Sequence, residues 1–301
     1  MNLVIMEPKR FIHKPVMVEE IVDLIVADPN GLYLDATVGL GGHTEAILRR
    51  LSPEGRILAV DLDPEALFLA AARLSEPPGR VRFAHENFRN ISQLIEREKF
   101  FPLTGALFDL GVSSLQLEKG SRGFSFQNAG PLDMRLDPGS PLTAARIVNE
   151  WPAEQLSLLF KEFGEEKQAS RIAGWIVSQR ARKPFETTSD LSGLIESKIG
   201  RHGGIHPATR TFMALRIAVN HELENLTRGI ESVLPHIKAG GRLAVVTFHS
   251  LEDRIVKNVF KSFVEHGQCD DLTPSPARPT QKEIEENPRS RSAKLRVVQK
   301  R

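Results

Sequence analysis

The stretch Leu32-Tyr-Leu-Asp35-Ala-Thr-Val-Gly39-Leu-Gly41-Gly42-His43-Thr44 decides the fold. A short apolar run ends at Asp35, breaks into a glycine loop and resumes as an amphipathic helix carrying Ala46, Ile47 and Leu51. Glycines let a backbone approach a ligand closely, and a helix start offers unpaired N–H groups. The first strand of an open α/β sheet holds a nucleotide-like cofactor in this way. Nineteen residues after Gly42, Ile57-Leu-Ala-Val-Asp61 reads as a second strand, ending in a carboxylate able to accept from two ribose hydroxyls. Together the two segments point to an adenosine-bearing cofactor.

Outward from this centre, strand and helix patterns alternate. Val18, Ile21, Val22 and Ile25 fall on one helical face ahead of the first strand. Strands are predicted at Leu32–Asp35, Arg56–Asp61, Val81–His85 and Ala106–Leu110, with helices near His43–Leu51, Pro64–Leu74 and Ile91–Lys99. Such alternation implies parallel strands, right-handed crossovers and helices on both faces. The pattern stops near Leu115, and Gln116 to Pro141 has loop composition. Helical stripes follow without strands: Ala169, Ile172, Ala173, Ile176 and Val177, then one longer helix from about Pro207 carrying Phe212, Leu215, Val219, Leu223 and Leu226. Strand character returns at Gly241–Phe248 and Lys294–Val298, with a helix at Leu251–Phe263 between them. The expected fold is α/β: a doubly wound, mostly parallel sheet formed by residues 1–114 and 211–301, with an all-helical insertion at 115–210.

Composition narrows the function. The 301 residues carry a net charge of +2 and one cysteine, Cys269, which excludes a disulfide framework and a cysteine metal cluster. No run approaches a membrane span or a secretory signal, so a cytoplasmic protein with no membrane partner is expected. Nine histidines lack metal-ligand spacing, and no metal site is expected. Arg278 to Arg301 holds eight Lys/Arg against three Glu, a balance suited to phosphate contact.

The glycine loop is neither G-x-G-x-x-G nor a phosphate loop. Its form, Asp-x-x-x-Gly-x-Gly-Gly, suits S-adenosylmethionine, which carries no phosphate but presents an amine and ribose hydroxyls to Asp35 and Asp61. Phe108-Asp109-Leu-Gly-Val-Ser-Ser114 ends the fourth strand, so Asp109 is expected in the same crevice. In Arg122-Gly-Phe-Ser-Phe126 and Gly130-Pro-Leu-Asp133-Met-Arg135, aromatics beside arginines suit either RNA stacking or anchoring of the loop. A nicotinamide oxidoreductase on the same sheet is the rival enzyme class, and a non-catalytic RNA-binding assembly factor the rival binding protein.

Taken in order, these motifs resemble the bacterial 16S ribosomal RNA cytosine-N4 methyltransferase family (RsmH, formerly MraW). The match runs through His13–Val16, Asp35–His43, Asp61–Pro64, Asp109–Ser114 with Gln116, Arg122–Phe126, Gly130–Arg135, His206–Phe212, Ser250–Arg254 and Asn287–Arg296. Ala129, Leu115 and Glu118 depart from the family's usual Asp, Pro and Asp. The resemblance implies a class I, Rossmann-like methyltransferase fold with S-adenosylmethionine held by Gly41, Gly42, His43, Asp61, Phe88, Asp109 and Gln116. It implies 16S ribosomal RNA as partner, within the small ribosomal subunit, and is compatible with a homodimer. The N4 amine of a decoding-centre cytidine would be methylated. Asp109 is the first candidate and Asp133 the second for the acceptor that orients that amine.

Overall fold

The computed structural model describes residues 14–75, 78–201 and 204–301. His13 of the His13–Val16 motif and the unmatched residues 1–10 lie outside the described residues. In chain order the first half comprises α1 (Val18–Ile25), β1 (Leu32–Asp35), α2 (Gly42–Arg50), β2 (Arg56–Asp61), α3 (Pro64–Arg73), β3 (Val81–His85), α4 (Ile91–Glu98), β4 (Leu103–Asp109) and α5 (Ser114–Glu118). Five helices then follow: α6 (Ala144–Glu150), α7 (Ala153–Gly164), α8 (Ala169–Arg180), α9 (Thr188–Ile199) and α10 (Thr209–Asn220). The chain closes with α11 (Glu222–Val233), β5 (Ile237–Thr247), α12 (Ser250–Glu265), β6 (Cys269–Asp271), α13 (Gln281–Glu286) and β7 (Lys294–Lys300).

One seven-stranded sheet runs β3-β2-β1-β4-β5-β7-β6. The first five strands in chain order pair in parallel; β7 is antiparallel to both β5 and β6. Successive strand residues face opposite sides. Leu34, Leu58, Phe108 and Val245 accordingly pack under α4, α11 and α12. Tyr33, Ile57, Leu107 and Val246 pack against α1 and α2 on the other face. The order reverses between β1 and β4, where a doubly wound sheet opens its ligand crevice.

A second apolar core, separate from the sheet, joins Phe124, Leu132 and Met134 to α6, α7, α8, α9 and α10. It extends through Leu215, Ala218 and Val219. The long helix predicted from Pro207 is two helices. His221 takes the left-handed conformation (φ 51°) and parts α10 from α11, so Phe212, Leu215 and Val219 serve the second core while Leu226 serves the sheet. The apolar stripe reads through this break because both helices bury the same kind of side chain. Part of the predicted loop is also ordered: Ser113 and Gln116 form a reciprocal cap that starts α5.

Candidate active site at the strand tips

The carboxyl ends of β1, β2 and β4 open into a cleft of about 860 Å³, walled by Thr37–Leu40, Gly42, His43, Asp61, Phe88, Asp109 and Gln116, and by Arg216, Asn220, Glu222, Asn225, Phe248 and Glu252. Two of these groups explain the glycine loop. Asp61 Oδ2 accepts the Gly39 N–H at 2.8 Å, and its Oδ1 accepts the Asp63 N–H at 2.9 Å, so the tip of β2 clamps the loop after β1. Burial pushes the Asp61 carboxyl up to about 6, against the pull of those two N–H groups. Gly41 takes φ +81° as the residue before α2, and a Cβ there would meet Leu74 at 2.8 Å. Gly42 packs on Pro15, where a Cβ would approach to 2.8 Å. Gly41 therefore shapes the turn, and Gly42 brings the segment before α1 against the cleft.

Asp35 departs from its expected place. It is 1% exposed; its Oδ2 accepts the Thr44 hydroxyl at 2.6 Å and its Oδ1 the Thr37 N–H at 3.2 Å. It is a brace beneath the loop and is not among the residues that line the cleft, because the Thr37 N–H of the following turn and the Thr44 hydroxyl of α2 engage its two oxygens. Asp133 is likewise committed. Both its oxygens are held by the Arg135 guanidinium at 2.8 Å, and it is absent from the cleft wall. Burial works against its charge, but Arg135 holds the carboxyl below its ordinary value.

Asp109 occupies the centre. His43 Nδ1 lies 3.3 Å from Asp109 Oδ2, while His43 Nε2 contacts the Val16 carbonyl at 2.8 Å. Burial opposes a charge on this imidazole. The Asp109 carboxylate, with the Val16 carbonyl and Asp35, outweighs it and pushes His43 up to about 9. Asp109 Oδ1 is buried with no hydrogen-bond partner. A buried carboxylate oxygen with no donor is costly unless a ligand supplies one. The ammonium of an amino-acid tail or the amine of a base fits that need. Phe88 sits edge-on to Phe108, centroids 5.6 Å apart, with its position kept open by Gly229.

The loop motifs anchor rather than grip. Asp63, fully buried at the start of α3, accepts from Gln116 Nε2 and Arg122 Nη1, both at 2.8 Å. Arg122 also donates to the Arg135 and Leu136 carbonyls. Phe124 is buried, and Phe126 packs tilted on His206, ring centroids 4.4 Å apart, and edge-on to Phe212 at 5.0 Å. Asp-x-Asp-Pro thus assigns its first carboxylate to the cleft and its second to the inserted loop. Lys294, expected to face RNA, is bound to Asp253 at 2.6 Å.

Pattern reading missed the helical wall. Arg216 donates to both Glu222 oxygens at 2.9 Å, and Glu252 lies beside His249 at 3.0 Å. Burial alone would raise the Glu252 carboxyl, but His249 and Arg216 hold it below its ordinary value. Glu222, His249 and Glu252 converge at metal-ligand spacing, the one such group among the described residues. Arg216 already supplies a positive charge there. These residues come from α10, α11 and α12, distant in sequence from the glycine loop. The reciprocal helix cap of Ser-Leu-Glu252 on His249 was the signal available.

An rRNA methylase structure from Streptococcus thermophilus is similar over 94% of this chain and 93% of its own, at 13% identity and a TM-score of 0.44. A ribosomal RNA small subunit methyltransferase H from Thermomicrobium roseum is 46% identical over 99% of this chain and 97% of its own. Its namesake from Symbiobacterium thermophilum is 45% identical over 96% and 97%. Residues 10–301 match the model of the MraW methylase family. With the paired strand tips, the glycine turn and a family match over almost its whole length, the chain belongs to the MraW methylase family and is an S-adenosylmethionine-dependent methyltransferase.

Proposed function

We propose that this chain methylates the exocyclic N4 amine of a cytidine in the decoding centre of 16S ribosomal RNA, within the small ribosomal subunit. The observation that carries the proposal is the donorless Oδ1 of Asp109 in the cleft at the strand tips. The curated relatives' names support ribosomal RNA as the substrate class. S-adenosylmethionine, when bound, supplies an electrophilic methyl on a positively charged sulfur.

The residues then divide the work. Asp61 accepts from the ribose hydroxyls, and Phe88 covers the adenine. Asp109 accepts from the donor's ammonium or from the substrate amine. His43 is a positioning residue: its ring fixes one Asp109 oxygen and leaves the other free. Gln116 spends both ends of its amide on Ser113 and Asp63, so it braces the wall. An aryl amine is a poor nucleophile because its lone pair is delocalised. Acceptors that draw it toward tetrahedral geometry, with alignment worth roughly 7–11 kcal/mol in favourable cases, do what a strong base would do elsewhere. The base is swung out of its stack to enter, at a cost of a few kcal/mol.

The inserted helices and the C-terminal basic segment are the proposed clamps on flanking phosphates, with Arg291 exposed. Nucleoside mass spectrometry of small-subunit RNA from cells with and without the protein tests the proposal. N4-methylated cytidine present only with the protein is expected. An unchanged spectrum would leave the non-catalytic assembly factor as the better account.

A further inference from the structure

We propose that Asn225 is a specificity-determining residue that selects an amine over a carbonyl on the substrate base, with Arg216 as its donor counterpart. The inference deepens the cytidine reading and rests on it. Asn225 lies on α11, is 4% exposed and lines the same cleft as Asp109, Leu110 and Phe248. Its side-chain NH2 donates to the Asn220 carbonyl at 2.9 Å. A carbonyl only accepts, so this bond fixes which way the amide faces. Oδ1 is thereby defined, and it is buried with no donor. Asp109 Oδ1, at the tip of β4, and Asn225 Oδ1, on α11, are both buried acceptors without donors on residues that line one cleft, so the cleft calls for donors from its ligands.

Arg216 provides the opposite polarity. Its bidentate bond to Glu222 uses two of five N–H groups and holds the guanidinium in the cleft wall. A base with an exocyclic amine beside ring and carbonyl acceptors, such as cytosine, presents a donor to Asn225 and acceptors to Arg216. Uracil sets a carbonyl oxygen against Asn225 Oδ1. The fixed amide cannot turn to receive it without breaking the Asn220 bond. Sites that bond a polar group of the right kind reject the wrong kind strongly, because a buried partner is left unpaired.

The test measures binding of small subunits from cells lacking the protein, with S-adenosylhomocysteine present. Subunits carry either the cytidine that the native chain methylates or a uridine at that position. The native protein should prefer cytidine by tenfold or more. Asn225→Leu should reduce the preference below twofold, with S-adenosylhomocysteine held at saturation for each protein. If Asn225→Leu fails to fold, Asn225→Ala, which removes the acceptor without adding a branched side chain, should lose the preference in the same way. An undiminished preference in a folded Asn225→Leu or Asn225→Ala protein would overturn the inference and leave the cytidine reading intact. A native protein that methylates no cytidine would overturn both.

Discussion

Raising the pH should unload one proton that the fold holds tightly. His43 sits between the Asp109 carboxylate and the Val16 carbonyl, and its acidity is displaced from 6.5 to about 9. The folded value lies above the unfolded one. The stabilisation is therefore complete below about pH 6.5 and vanishes as pH rises through 9. At about 1.4 kcal/mol per unit, the displacement corresponds to about 3 kcal/mol, a large share of a typical domain's 5–15 kcal/mol. Urea unfolding of the ligand-free protein from pH 6 to 10 measures it, with His43→Gln as reference. Subtraction of the variant removes the shared alkaline contributions of Tyr33 and Cys269, both pushed upward by burial. The native-minus-variant stability should fall by about 3 kcal/mol between pH 6.5 and 9.5. A flat difference would refute the charged pair and with it the account of why Asp109 Oδ1 stays free.

Asp61, burdened by burial to about 6, should bind cofactor less well as pH drops through that value, since its protonated form loses an acceptor. Calorimetry with S-adenosylhomocysteine checks this, and pH-independent affinity would contradict it. Arg122→Ala should cost about 3–5 kcal/mol of unfolding free energy, because Asp63 is fully buried and loses a charged partner; a change under 1 kcal/mol would show the loop is anchored elsewhere. Phe88→Ala should weaken cofactor binding about tenfold or more, read by the same titration, with part of the loss coming from its contact with Phe108. Methyl transfer to subunits should fall with salt. Arg291→Ala should reduce the log–log slope by about 0.7–0.9, whereas Lys294→Ala, whose ammonium is paired with Asp253, should leave it unchanged.

The sheet was legible where local pattern and tertiary role agree. β1, β2 and β3 lie where their apolar runs end in Asp, Asp and His. Legibility failed where a side chain's partner decides its role. Asp35 and Asp61 look equivalent in sequence, yet Thr44 takes the first inward while Asp61 stays at the cleft. The early part of β5, Lys238-Ala-Gly-Gly, reads as a turn; it falls at the register shift between the Ile237–Leu103 and Arg242–Gly105 pairs, with Gly240 at φ +77°, so the strand runs on through an irregularity. β6 is three residues, two of them aspartates, and no periodicity marks it. Arg122 and Lys294 look like RNA contacts because charge pattern cannot reveal the buried Asp63 or the neighbouring Asp253. The acceptor and donor on α10 and α11 are invisible for a related reason: their helices reach the cleft only after the chain has built a second core.

The most direct test uses S-adenosylmethionine carrying a trideuterated methyl, with small subunits isolated from cells lacking the protein, and compares native chain with Asp109→Asn. A deuterated methyl on a cytidine N4 is expected with the native chain, and a rate at least tenfold lower with Asp109→Asn, about 1.4 kcal/mol. Label absent from cytidine, or equal rates for the two proteins, would contradict it.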